Sequence, residues 1–190
     1  LYNSLHDSAL WIKVIEGNQD ALAFIYNKHF QSLYRYGMKL HPDGDLVKDT
    51  IHDLFAGIWL GRERLSVTDS IRYYLLASLK RQINRKLERA SRLYEYRVTN
   101  TSATSSHEEV LIAAQIHNER KQKLEKVING LPPRQREVLY LRFYEGLDTQ
   151  AVAKIMSLSV NSTYVLLSKA LGYLKKNRNL LILCVLLNTL

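Results

Sequence analysis

The sequence predicts an all-α protein of two small helical domains, on three observations. Apolar residues recur at three- and four-residue steps almost throughout. Pro (3) and Gly (8) are scarce in 190 residues, and one polar stretch without periodicity divides the chain near residue 100. A hydrophobic content of 46% excludes wholesale disorder, and the length suits one ordinary domain or two small ones.

The opening "LYNSLHDSAL" lacks a basic segment followed by an apolar one, and no apolar run of about 18 residues occurs, so neither an export signal nor a membrane span is expected. From Asp20 to His41, the residues Leu22, Ile25, Tyr26, Phe30, Leu33, Tyr34 and Gly37 line one helical face. That helix should stop at "HPDGD", where Pro42 and Gly44 break it and Asp43 or Asp45 can cap the next. The following helix turns Val47, Ile51, Leu54, Phe55, Ile58 and Trp59 inward. After "RLSVTDS", another runs from about Ser70 to Tyr96 with Ile71, Leu75, Leu79, Ile83 and Leu87 at four-residue steps. These helices make a first domain, residues 1–97.

Small polar residues in "VTNTSATSSHEE" make a flexible linker, placed at residues 98–107. Beyond it the pattern predicts a helix from about Glu108 to Asn129, a "GLPPRQ" turn with proline in the next helix's first turn, a helix to Tyr144, and two helices within "TQAVAKIMSLSVNSTYVLL". This second domain covers residues 108–178. An apolar tail, 179–190, ends in "LLILCVLLNTL", which is too short for the roughly 20 residues that span a bilayer.

The charge balance narrows the partners. With 27 Lys+Arg against 18 Asp+Glu the net charge is +9, which favours a polyanion such as nucleic acid or an anionic membrane surface. One cysteine, Cys184, permits neither an internal disulfide nor a thiol cluster for zinc and suits a reducing compartment, the cytoplasm by default. The six histidines (His6, His29, His41, His52, His107, His117) show no metal-ligand spacing. Without a phosphate-binding glycine loop, dinucleotide fingerprint or nucleophile elbow, no enzymatic activity, cofactor or small-molecule substrate is expected.

The paired helices have the spacing of a helix-turn-helix, with Val152, Ala153, Met156, Leu158 and Leu166 at the packing offsets. Thr163 stands where Val or Ile is usual, and Ser157 at the turn where Gly is usual; a left-handed serine costs roughly 1 kcal/mol. The same pattern also fits an αα-hairpin that only builds core. What favours DNA is the continuation "SKALGYLKKNR": Lys169, Lys175, Lys176 and Arg178 follow an uncharged tip. Base edges are read by amides, hydroxyls and apolar groups, and phosphates are held by cations. Asn161, Ser162, Tyr164 and Val165 are therefore expected to face a major groove, with Ser168 and Lys169 behind them.

The densest positive charge lies between Lys80 and Arg97, where seven cations (Lys80, Arg81, Arg85, Lys86, Arg89, Arg92, Arg97) accompany two anions (Glu88, Glu95). Arg81, Arg85, Arg89 and Arg92 fall on one helical stripe, suited to tracking phosphates. At the start of this helix Arg72 precedes Tyr73 and Tyr74, either of which offers a ring for a single-stranded base to stack on. On the preceding helix Asp45, Asp49 and Asp53 lie four residues apart: a solvated face, a surface for a basic protein, or a Mg²⁺ site.

Together these stretches resemble the bacterial sigma-70 family of RNA polymerase initiation factors, in its small extracytoplasmic-function (ECF) branch. "ALAFIYNKHFQSLYRYGMKL", "LVKDTIHDLFAGIWLGRERL" and "SIRYYLLASLKRQINRKLER" look like that branch's region 2. "LPPRQREVLYLRFYEGLDTQAVAKIMSLSVNSTYVLLSKALGYLKK" looks like its region 4. The resemblance implies that Asp49, Asp53, Leu54 and Phe55 contact the β′ clamp helices of core RNA polymerase, with Trp59 in the core. It implies −10 recognition and melting by Ser70, Arg72, Tyr73 and the Lys80–Arg92 face with Asn84. It also implies −35 recognition by the helix-turn-helix, a β flap contact, promoter DNA as ligand, and control by an anti-sigma factor, often membrane-anchored. Many members carry a basic residue at Tyr164 and Arg at Leu166, so the −35 base preference does not carry over. Two rival readings are a stand-alone helix-turn-helix regulator and a Mg²⁺-dependent nuclease built on Asp45, Asp49 and Asp53.

Overall fold

The computed structural model describes residue 2, residues 4–98, residue 128 and residues 130–176. Residues 99–107 of the expected linker, most of the helix expected from Glu108 to Asn129, the side chain of Arg97, and Arg178, Cys184 and the apolar tail lie outside the described residues. The chain divides into two compact units, Leu1–Ser102 and Ala103–Leu190, and the described residues of both are helical, turn or loop, with no strand.

In the first unit, α1 (Asp7–Ile15), α2 (Gln19–Leu40) and α3 (Gly44–Leu60) precede a single 3₁₀ turn (Arg62–Arg64) and a long α4 (Ile71–Val98). The helix starts obey capping chemistry. Asn18 Oδ1 accepts from the Ala21 amide at 2.9 Å, and Asp43, one of the two caps foreseen, accepts from the Asp45 and Leu46 amides at 2.9 and 3.0 Å. The Leu46 amide holds the Asp43 carboxyl below its ordinary value; desolvation opposes it, and the Asp45 amide and His41 add to the lowering. Where α2 meets α3 the backbones approach closely: a Cβ at Gly37 would clash with the Val47 side chain.

The centre of the unit is α4, which packs on α1, α2 and α3. Leu75, Leu76, Ala77, Ser78 and Leu79 are buried in succession, so this part of the helix is enclosed all round rather than along one stripe. Ile25, Leu33, Tyr36, Val47, Ile51 and Ile58 close over it. From Asn84 onward the helix emerges; Asn84, Arg85, Glu88, Arg89 and Arg92 are exposed.

The sequence reading did not foresee α1. Its nine residues form little more than two turns, too short for periodicity to declare itself, yet Leu10, Trp11 and Val14 are at most 1% exposed. A buried Trp or Leu contributes about 1.5–3 kcal/mol, which explains why so short a segment holds its place.

In the second unit, α5 (Pro133–Leu139) begins with proline in its first turn, as expected, and runs into a π-helical turn (Tyr140–Tyr144). Then come α6 (Thr149–Met156) and α7 (Val160–Lys176). Asp148 caps α6 by accepting from the Ala151 amide at 2.7 Å. Leu131, Val138, Leu141, Val152, Ala153, Met156, Leu167 and Ala170 form the core.

Candidate nucleic-acid and protein-docking surfaces

The turn between α6 and α7 decides whether the pair is a helix-turn-helix. Ser157 adopts φ 54°, ψ 48°, the left-handed conformation expected of the turn residue. The Ser157 amide donates to the Lys154 carbonyl at 3.3 Å and the Leu158 amide to the Ala153 carbonyl at 2.9 Å, the paired bonds that close a helix with a left-handed residue. Two residues later Ser159 opens α7, its Oγ accepting from the Ser162 amide at 3.0 Å.

Thr163, in the place of the usual Val or Ile, is wholly buried, and its hydroxyl donates to the Ser159 carbonyl at 2.9 Å, so burial leaves no polar atom unsatisfied. Burial on α7 follows Thr163, Leu167 and Ala170, whereas Leu166, expected at a packing offset, is only half-buried. Leu167 takes that role because it lies one helical turn beyond Thr163. All six residues expected to face DNA, Asn161, Ser162, Tyr164, Val165, Ser168 and Lys169, are exposed. Asn161, Val165, Ser168 and Gly172 form one line on α7, with Lys175 and Lys176 at its far end. The Ser162 hydroxyl accepts from Ser159 Oγ at 2.8 Å and retains its own hydrogen for donation.

On the first unit, Arg81, Arg85, Arg89 and Arg92 are exposed along α4, Arg72 is exposed at its start, and Lys80 is half-buried. Between α3 and α4 lies an open groove of about 370 Å³, lined by Leu54, Ile58, Tyr74, Ser78, Arg81 and Arg85. The Arg81 guanidinium donates to Ser78 Oγ at 2.9 Å, which fixes that cation at the groove wall. Of the two tyrosines, Tyr74 packs against Trp11 with centroids 4.9 Å apart, while Tyr73 is half-buried with its amide donating to Ser70 Oγ at 3.2 Å. Ser70 thus serves as the N-cap of α4, which occupies one of its lone pairs.

On α3 the expected polymerase-contact residues differ in exposure. Asp45, Asp49 and Asp53 are exposed, but Leu54 and Phe55, expected to touch polymerase, are 3% and 6% exposed. They sit on the inward side of α3, where Phe55 meets the Tyr26 ring edge-on at 5.0 Å and Leu54 lines the groove between α3 and α4. Trp59, expected in the core, is half-buried, and the Arg62 guanidinium lies 4.6 Å from its ring and donates to its carbonyl at 3.0 Å. Asp53 Oδ2 is 2.7 Å from Lys86 Nζ on α4, and Asp45 is paired with Lys48 at 3.3 Å. Beside this acidic row, the half-buried rings of Tyr26 and Phe30 lie against exposed His52, with Tyr26 Oη 3.2 Å from His52 Nε2. Sequence reasoning counted Tyr26 and Phe30 on the apolar face of α2 and gave His52 no part in a surface.

Among the described residues, no group of three His, Cys, Asp or Glu side chains is arranged to hold a metal ion, and no helix is long and apolar enough to cross a membrane. The three aspartates are spread along a helix rather than converging.

Comparison with known proteins meets this geometry at the second unit. The family described as Sigma-70, region 4 matches residues 121–174, a span that includes α5, α6 and the greater part of α7. Two solved structures share the fold. CnrH, in complex with the cytosolic domain of CnrY, has a TM-score of 0.60 at 19% identity, covering 92% of this chain and 98% of that one. The sigma factor RpoE of Bartonella quintana, in complex with the anti-sigma factor NepR, has a TM-score of 0.60 at 16% identity, covering 80% and 92%. None of the curated proteins compared is similar enough in sequence to match. The resemblance to the sigma-70 family read from the sequence is borne out by the family match at residues 121–174, and the fold is one that CnrH and RpoE share.

Proposed function

We propose that the chain is an ECF-type sigma factor that binds core RNA polymerase, recognises −35 and −10 promoter elements and promotes melting of the duplex. One observation carries the reading: a region 4 helix-turn-helix shares its chain with a unit whose central helix leaves its core as an exposed arginine-bearing segment. A neutral recognition face on α7 and a cationic face on α4 divide the work as base reading and strand holding do.

In this reading Asn161, Ser162, Tyr164, Val165, Ser168 and Lys169 meet the −35 major groove, while unit 2 also meets the β flap. Arg72, Tyr73, Arg81, Asn84, Arg85, Arg89 and Arg92, with Lys80, hold the −10 strand, and the cost of extruding a base, a few kcal/mol, is offset by stacking and phosphate contacts. Ser70 acts there through the helix start it caps. The exposed carboxylates of Asp49 and Asp53 meet the β′ clamp helices, supported by the Tyr26, Phe30 and His52 surface. The chain works in the cytoplasm, and an anti-sigma factor, the kind of partner bound in the RpoE structure, covers these faces when transcription is withheld.

Transcription in vitro with purified core polymerase and a genomic promoter library tests the proposal. Start sites that share a −35 and a −10 element, and that vanish without the chain, are expected. Tight binding to an operator as a dimer without polymerase would favour a stand-alone regulator. Chelator-sensitive DNA cleavage would favour the nuclease.

A further inference from the structure

We propose that α1 is a brace for the loop joining α3 to α4, with Trp11 and Asp7 as positioning residues that set how this loop meets a single-stranded promoter base. The inference rests on the initiation-factor reading and adds residues outside every segment that the reading used.

Residues 65–70 form no regular structure, and Val67 at their middle is 56% exposed. Such a segment would be conformationally diverse unless tied down, because ordering each residue carries a substantial entropy cost. Two ties come from α1. Trp11 Nε1 donates to the Ser66 carbonyl at 3.1 Å across 55 residues of chain, and the Trp11 ring is wholly buried, so the donor comes from a fixed point. Asp7 Oδ2 accepts from the Ile71 amide at 2.9 Å, one of the first amides of α4, which no helical carbonyl can satisfy. Asp7 itself stands in the first turn of α1, so one carboxylate serves the N-termini of two helices.

Between these anchors the loop fastens to itself. Thr68 Oγ1 donates to the Ser70 carbonyl at 3.2 Å and accepts from the Ser70 amide at 3.3 Å, and Ser70 Oγ accepts from the Tyr73 amide. Trp11 also contacts the Tyr74 ring, the neighbour of Tyr73, so the same side chain sets the loop and the first turn of α4. A loop held at both ends presents its outer surface in one arrangement and meets a displaced base without an ordering cost at that moment.

The test uses the full chain assembled with core polymerase on a promoter recovered from a genomic library with the parent holoenzyme. Trp11→Phe keeps an aromatic ring, though a smaller one, and deletes the donor; Asp7→Asn keeps the shape and weakens the acceptor. Each is expected to slow promoter opening about fivefold, the equivalent of one lost hydrogen bond, with affinity for core polymerase and helical content unchanged. Ile12→Ala, on the exposed side of α1, is expected to open promoters at the parent rate. Loss of opening without loss of polymerase binding separates positioning from a general loss of fold. Parent-like opening by both brace variants overturns the brace alone. If the parent chain opens no promoter, the initiation reading falls and the brace with it.

Discussion

Lys86 of α4 reaches Asp53 of α3 with Nζ 2.7 Å from Oδ2, and at this ion pair the acidic face proposed for polymerase adjoins the basic face proposed for DNA. With 62% of the aspartate side chain and 34% of the lysine exposed, the pair is worth about 0.2–1 kcal/mol, little enough for a partner to exchange it. Asp53→Asn should therefore leave thermal stability nearly unchanged and weaken binding to core polymerase. Releasing Lys86 should also steepen the salt dependence of DNA binding by about one phosphate contact. Fluorescence anisotropy with a labelled single-stranded DNA over a series of salt concentrations measures that slope.

The recognition face of α7 makes a different demand. Replacing Asn161 with alanine removes the one amide on the first exposed turn of α7, and a bidentate amide–base contact accounts for about 1–3 kcal/mol of discrimination. Relaxed preference at one −35 position is expected, with the rest of the site read as before. Promoter-library sequencing of the variant holoenzyme checks this, and an unchanged preference would remove Asn161 from the site.

At the helix-turn-helix bend, Ser157→Gly should stabilise the second unit. A left-handed non-glycine residue costs roughly 1–2 kcal/mol, and glycine forfeits part of that gain through its freer unfolded chain, so a net gain of about 0.5–1 kcal/mol is expected in thermal denaturation.

Acid should act on the start of α3. Asp43 is held below its ordinary value chiefly by the Leu46 amide, so the folded state favours its charged form. Its contribution is complete above the unfolded carboxylate value, near pH 4, and disappears as pH falls through the lower folded value. Asp43→Asn retains a capping oxygen without the charge, and the acid limb of the first unit's unfolding curve should become shallower.

Much of this fold was legible because long amphipathic helices repeat their pattern often enough to be read. The break at Pro42, the cap at Asp43 and the left-handed turn at Ser157 were legible from local chemistry. Reading failed where tertiary position outweighed pattern. α1 is too short to show a period, and its role depends on Ser66 and Ile71, 55 and 64 residues distant from their partners. Leu54, Phe55 and Trp59 share one helix, and sequence alone could not rank their burial, because that depends on how α3 is rotated against α2 and α4. The cationic residues of α4 were found easily, whereas the pairing of Lys86 with Asp53 required the two helices side by side.

Equilibrium binding of the purified, fluorescently labelled chain to core RNA polymerase at modest ionic strength is the most direct measurement. Saturable one-to-one association that unlabelled chain competes away, and that combined charge reversal of Asp49 and Asp53 weakens at least tenfold, is the predicted result. Absence of association, with the chain folded, would contradict the account at its root.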